Sequence, residues 1–167
     1  MGDTYVQAYF HLVFAVRNRE YLIEKSWKDE LEKYITALIQ NKNHKLIAIG
    51  SQPDHIHIFI GYNLNQKIPD LVELIKTSSN HWINSNRKSR FDFHWQKGYG
   101  AFTYSHSQIS SVANYVLNQD EHHQKVSFKD EYLEILKKFN IEFKNEYLFD
   151  FFDDIDGWDE TKHSYNF

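Results

Sequence analysis

Pro53-Asp54-His55-Ile56-His57-Ile58-Phe59-Ile60-Gly61 has the alternation of an extended strand, entered through a proline turn and closed by a glycine. Side chains two apart leave a strand on the same face. Ile56, Ile58 and Ile60 therefore form a core face, and His55 and His57 share the other. Two imidazoles at that spacing lie close enough for their nitrogens to converge on one cation, and neutral imidazole is the commonest metal ligand in proteins. A third ligand must come from elsewhere. Further along, Asn114-Tyr115-Val116-Leu117-Asn118-Gln119 puts Tyr115 and Gln119 at i, i+4, which stacks both on one face of a helix. An amide able to complete a metal site then stands one turn from a phenol able to act as a nucleophile.

The rest of the chain can be placed around that strand. Residues 5–16 alternate Val6, Ala8, Phe10, Leu12, Phe14 and Val16 against Tyr5, Gln7, Tyr9, His11 and Val13, the period of a first strand, which Arg17-Asn18-Arg19-Glu20 ends. Ser26 followed by Asp29 predicts a helix N-cap, and Trp27, Leu31, Tyr34, Ile35 and Leu38 recur at helical spacing to about Lys42. Residues 45–51 read as a second strand and the His55 strand as the third. Pro69 suits the first turn of a second helix with Leu71, Leu74, Ile75, Ser78 and Trp82 as its buried stripe. Residues 95–105 read as a fourth strand with a bend at its glycines.

The order β-α-β-β-α-β predicts an α+β fold of the ferredoxin-like split βαβ type, an antiparallel sheet with both helices on one face. The other face must be covered by the C-terminal part of the chain. Ser107 is expected to cap a third helix with Ile109, Val112, Ala113 and Val116 on its apolar arc, and Tyr115, Gln119 and His122 on the flank. Ser127 is expected to cap a fourth, with Phe128, Tyr132, Ile135, Leu136 and Phe139 buried. His122-His123 reads as a solvated helix end, because adjacent residues diverge on a helix.

At 167 residues the chain suits one buried domain, expected over residues 1–140, followed by a tail over 141–167. In that tail Phe149, Phe151, Phe152 and Trp158 are interleaved with acids, a mix that is expected to pack on the body or a partner, or to be partly disordered. The absence of cysteine excludes disulfides and thiolate metal sites and fits a reducing, cytoplasmic setting. No apolar run is long enough to span a bilayer. The net charge of −4 is unfavourable for a nucleic-acid partner, but the acids cluster at the end. Residues 1–139 carry 17 bases against 15 acids, a weakly permissive balance. The bases Arg17, Arg19, Lys76, Arg87, Lys88, Arg90 and Lys97 are candidate DNA contacts, set against the reading of an ordinary solvated surface.

Taken together, the segments resemble the single-tyrosine HUH transposases, the TnpA proteins of the insertion sequence 200/605 family and their REP-associated relatives. The likeness rests on His11-Leu12-Val13-Phe14 with Arg17-Asn18-Arg19, on Gln52-Pro53-Asp54-His55-Ile56-His57, on Trp95-Gln96-Lys97-Gly98-Tyr99-Gly100-Ala101-Phe102, and on Tyr115-Val116-Leu117-Asn118-Gln119 with Glu121-His122-His123. It implies that His55, His57 and Gln119 bind Mg²⁺ or Mn²⁺. It also implies that Tyr115 attacks single-stranded DNA, with a hairpin, to form a 5′-phosphotyrosine, and that the enzyme is a homodimer with composite sites. Asp54, next to His55, is a candidate to orient the imidazole from behind. Two other readings stay open: a non-catalytic hairpin-binding relative, and a single-strand nickase of the replication or transfer type.

Overall fold

The computed structural model describes residues 2–18 and 22–152. Arg19 and Trp158 fall outside them. Four strands, β1 (Tyr9–Ala15), β2 (Lys45–Ser51), β3 (His55–Gly61) and β4 (Gly100–Thr103), form one sheet in the order β2-β3-β1-β4. Every neighbouring pair is antiparallel. With α1 (Lys25–Asn41) and α2 (Ile68–Ser85) between the strands, this is the expected split βαβ arrangement. It sets Ala15 opposite His55 and Val13 opposite His57.

The sheet is covered on both faces, which explains why β3 is buried along nearly its whole length. One face holds Leu12, Phe14 and Val16 with Ile56, Ile58 and Ile60, packed against Trp27, Leu31, Ile35 and Ile39 of α1 and Leu71, Val72, Ile75 and Ile83 of α2. Each such side chain contributes about 1.5–3 kcal/mol when taken fully out of water. On the other face, Ala48 and Phe59 meet Val112 and Val116 of α3 (Ile109–Leu117). Val13, Ala15 and Phe102 meet Phe128, Tyr132, Ile135 and Leu136 of α5 (Phe128–Lys138). A single turn, α4 (Gln119–His122), joins them. This is the face that carries His55 and His57.

Several boundaries differ from the sequence reading. The first strand pairs only from Tyr9, and the fourth only over Gly100–Thr103, because Gly98 turns the chain with φ 83°; Trp95 joins Val16 through an isolated bridge. The α1 helix starts at Lys25 with Glu24 at its cap, so Ser26 lies in the first turn. In α2 the buried stripe runs through Val72, Ser79 and Ile83, turned slightly from Leu74, Ser78 and Trp82, which are half-buried. Ser105 and Gln108, not Ser107, form a capping box, on a short 3-10 turn that leads into α3. Ser127 does cap α5, its hydroxyl accepting from the Asp130 amide at 3.2 Å.

Beyond α5 the described chain returns to the body. Phe149 and Phe151 pack on Phe128 and Tyr132, and the Gln96 side chain exchanges two 2.8 Å hydrogen bonds with the backbone of Asp150.

Candidate metal and nucleophile site

The site begins with the strand period. His55 and His57 project from β3 into the layer beneath α5 and are fully buried. The Nδ1 of His55 faces Asp54 Oδ1 at 2.7 Å, so this nitrogen donates to a carboxylate and the Nε2 points inward. Asp54, the candidate orienting residue, is therefore hydrogen-bonded to the His55 ring on the side away from the cluster. The His57 ring is held from behind by the Nε2 of His11, 2.7 Å from its Nδ1, and its own Nε2 points to the same centre. Strand alternation alone assigns His11 no role.

Two further residues complete the cluster, and neither was foreseen. His123 is buried, and its Nδ1 donates to the Val126 carbonyl at 2.8 Å, which leaves the Nε2 facing His55 Nε2 at 3.1 Å. The expectation of a solvated helix end is corrected for this residue. The helix does not run through it: α4 is a single turn, and His123 lies just past its end, where the rule about diverging neighbours no longer holds. Glu131, in the first turn of α5, is 2% exposed. Its Oε1 lies 2.8 Å from His57 Nε2, 3.1 Å from His123 Nε2 and 3.4 Å from His55 Nε2.

The four ligand atoms of His55, His57, His123 and Glu131 all lie within 4.8 Å of one another. The donor chemistry can be tested directly. His55 and His123 each donate from Nδ1 to an oxygen acceptor, so as neutral rings both aim bare Nε2 lone pairs at each other and at a carboxylate. Acceptors crowded in this way are reconciled only by a cation, and ligating histidines are oriented by this same pattern of outer hydrogen bonds. The group could therefore hold a divalent metal. In the metal-free chain a proton serves instead. Burial lowers the affinity of His55 for it but is outweighed by Asp54 and Glu131, which push its pKa up to about 9. His57 is held down to about 4, mainly by burial against the pull of Glu131. The Glu131 carboxyl is depressed well below its ordinary value, because the surrounding imidazoles outweigh its burial.

Tyr115 stands over this cluster in the same chain. Its ring centroid is 5.8 Å from that of His57, edge to face, and its hydroxyl donates to Glu131 Oε2. The Nε2 of His122 lies 3.1 Å from that same oxygen. Burial first and the Glu131 charge second push the phenol above its ordinary range, so the resting hydroxyl keeps its proton. Gln119 opens α4, two residues past the end of α3, yet its Nε2 reaches back 3.1 Å to the Tyr115 carbonyl, while its buried Oε1 has no hydrogen-bond partner. The turn before the strand is tied to the same segment by Gln52, whose amide donates to Asp120 at 2.6 Å.

The basic candidates differ in their surroundings. Lys76 is half-buried, and its ammonium donates to the carbonyls of Gln96 at 2.7 Å and Gly98 at 2.5 Å, with burial lowering its pKa to about 8. Lys88 pairs with Glu30 at 3.0 Å. Those two are engaged within the fold. Arg17, Arg87, Arg90 and Lys97 are exposed. Among the described residues, no helix is long and apolar enough to cross a membrane.

The chain is similar to several known proteins. The ISDra2 transposase TnpA of Deinococcus radiodurans is 23% identical over 126 residues, covering 72% of this chain and 90% of the relative. A D. radiodurans crystal structure assigned as a transposase superposes with a TM-score of 0.55 at 24% identity, over 71% of this chain and 96% of the other. A REP-associated tyrosine transposase bound to a REP hairpin superposes with a TM-score of 0.56 at 14% identity, over 75% and 74%. The family described as "Transposase IS200 like" matches residues 4–119, more than half of the chain, and to that family the chain belongs.

Proposed function

We propose that this transposase cleaves and rejoins single-stranded DNA through Tyr115, with a divalent cation bound beside it. The observation that carries the proposal is the placement of the Tyr115 phenol, through one carboxylate, against the convergent imidazoles of His55 and His57. In the reaction the Tyr115 oxygen attacks the phosphorus, the bond to the 3′-oxygen breaks, and a 5′-phosphotyrosine and a free 3′-hydroxyl result. The phosphotyrosine keeps the phosphoester energy, so a 3′-hydroxyl can reverse the step without a nucleotide. A bound cation would polarise the scissile phosphate and offset its developing charge.

His55 and His57 would hold that cation from β3, fixed from behind by Asp54 and His11. Gln119 is the third ligand by family pattern, and its buried, unpartnered Oε1 supports that role. His123 adds a further imidazole, and Glu131 a carboxylate that can leave the cation without emptying its imidazole set. Family pattern favours Mg²⁺ or Mn²⁺, whereas an imidazole-rich set also accepts zinc or nickel. The relative bound to a REP hairpin supports a hairpin-bearing DNA, with Arg17, Arg87, Arg90 and Lys97 as candidate backbone contacts. A homodimer that exchanges its tyrosine helices is the second arrangement; the complete constellation within one chain favours a site that needs no exchange.

The direct test is covalent adduct formation on single-stranded oligonucleotides carrying the element's hairpin, with Mg²⁺ or Mn²⁺. Wild type should form the adduct and Tyr115→Phe should not. An adduct that persists in Tyr115→Phe moves the chemistry to another tyrosine. DNA binding with no adduct under any metal favours the non-catalytic reading. A nick that is never rejoined, with both element ends supplied, favours the nickase.

A further inference from the structure

Glu131 is bound on both sides. One oxygen faces the imidazole nitrogens of His55, His57 and His123; the other accepts from Tyr115 and lies 3.1 Å from His122. A nucleophile must approach to within about 3–3.5 Å of the phosphorus it attacks. The Glu131 carboxylate now occupies that approach, because its Oε2 is the direct partner of the attacking oxygen.

We propose that Glu131 holds the seat of the scissile phosphate, and that a DNA phosphodiester enters by displacing this carboxylate from both the imidazole cluster and Tyr115. This rests on the function proposed above. Three features support it. A carboxylate and a phosphodiester each carry one negative charge, so the exchange keeps the charge of a buried cationic site unchanged and leaves no uncompensated ion. The exchange frees the Tyr115 hydroxyl at the moment its target arrives. A way in exists as well: a cleft of about 290 Å³, lined by Tyr115, Asn118, Glu121, His122, Lys125 and Val126, opens beside the two residues that contact Oε2. The exposed Lys125 supplies a positive charge at its mouth.

The experiment uses Tyr115→Phe protein, which cannot form the adduct, loaded with Mn²⁺. It measures hairpin-oligonucleotide affinity by fluorescence anisotropy and Mn²⁺ affinity by calorimetry. Glu131→Gln keeps the shape but removes the competing charge and one of the two accepting oxygens, and should bind the oligonucleotide about tenfold more tightly while the imidazoles still bind Mn²⁺. Glu131→Asp, a shorter arm, should give a smaller gain and decides the matter if the glutamine variant does not fold. Unchanged or weaker DNA affinity in folded, metal-loaded variants overturns the displacement. Loss of Mn²⁺ and DNA binding together also overturns it, by making Glu131 a permanent ligand. DNA binding by neither parent nor variants defeats the functional reading itself, so the two failures are distinguishable.

Discussion

The Tyr115 hydroxyl and the Glu131 carboxylate, sixteen residues apart and on different helices, meet over the histidines of β3. Removing the hydroxyl cuts the chemical step without disturbing the imidazole cluster. Tyr115→Phe should lose all detectable adduct on single-stranded DNA while its Mn²⁺ affinity, read by calorimetry, stays within about threefold of wild type, a difference below 1 kcal/mol.

Because one chain holds both the tyrosine and the histidines, mixed subunits report the assembly. A mixture of Tyr115→Phe and His55→Ala proteins should show no recovered cleavage on a denaturing gel. Appreciable recovery would mean that the helices are exchanged between subunits.

The ion pair behind His55 should matter to the metal. Asp54→Asn keeps the size of the side chain but weakens the acceptor at 2.7 Å, and loss of such outer partners lowers metal affinity by about 10–100-fold. His123→Ala should weaken it as well. If Gln119→Ala lowers affinity and His123→Ala does not, the third ligand is the amide.

Saturating metal should raise thermal stability. At about a hundred times the dissociation constant the linkage is worth about 2.7 kcal/mol. For a domain of this size that corresponds to a Tm rise of about 5–10 °C. A chelator titration followed by circular dichroism should return the lower value; a Tm insensitive to metal and chelator would argue against ion binding by the folded chain.

Gly50, in β2, faces the tyrosine helix so closely that a Cβ there would collide with the Val116 carbonyl. Gly50→Ala should destabilise by about 1–3 kcal/mol, as overpacking does. The same push should displace Tyr115 and slow adduct formation more than it weakens metal binding. Urea melts and single-turnover cleavage separate the two effects.

The strand period made His55 and His57 legible, because alternation alone sets them on one face. The element order gave the sheet and predicted that its second face needed cover. Lys76 was misleading: its position suggested a surface base, but its partners are the Gln96 and Gly98 carbonyls of a loop the sequence does not bring near it. Glu131 was invisible for a physical reason. It lies three residues after Phe128 and four before Ile135, within the stripe that was read as apolar, and a buried acid is intelligible only once its imidazole partners are known. A charge in a core stripe was the signal available. His123 is hidden for another reason: α4 is a single turn that stops at His122, so helical spacing does not place its ring. Both residues also lie beyond the 4–119 segment that matches the family.

Phe128 stacks on the His55 ring, centroids 3.9 Å apart and nearly parallel, and Phe149 and Phe151 in turn press on Phe128. The far end of the described polypeptide is therefore a buttress for an imidazole contributed by the third strand. Anyone shortening this protein for crystallisation or fusing a reporter to it should cut after that buttress and not before, since a trim at residue 148 would strip from Phe128 the two rings that press it towards His55.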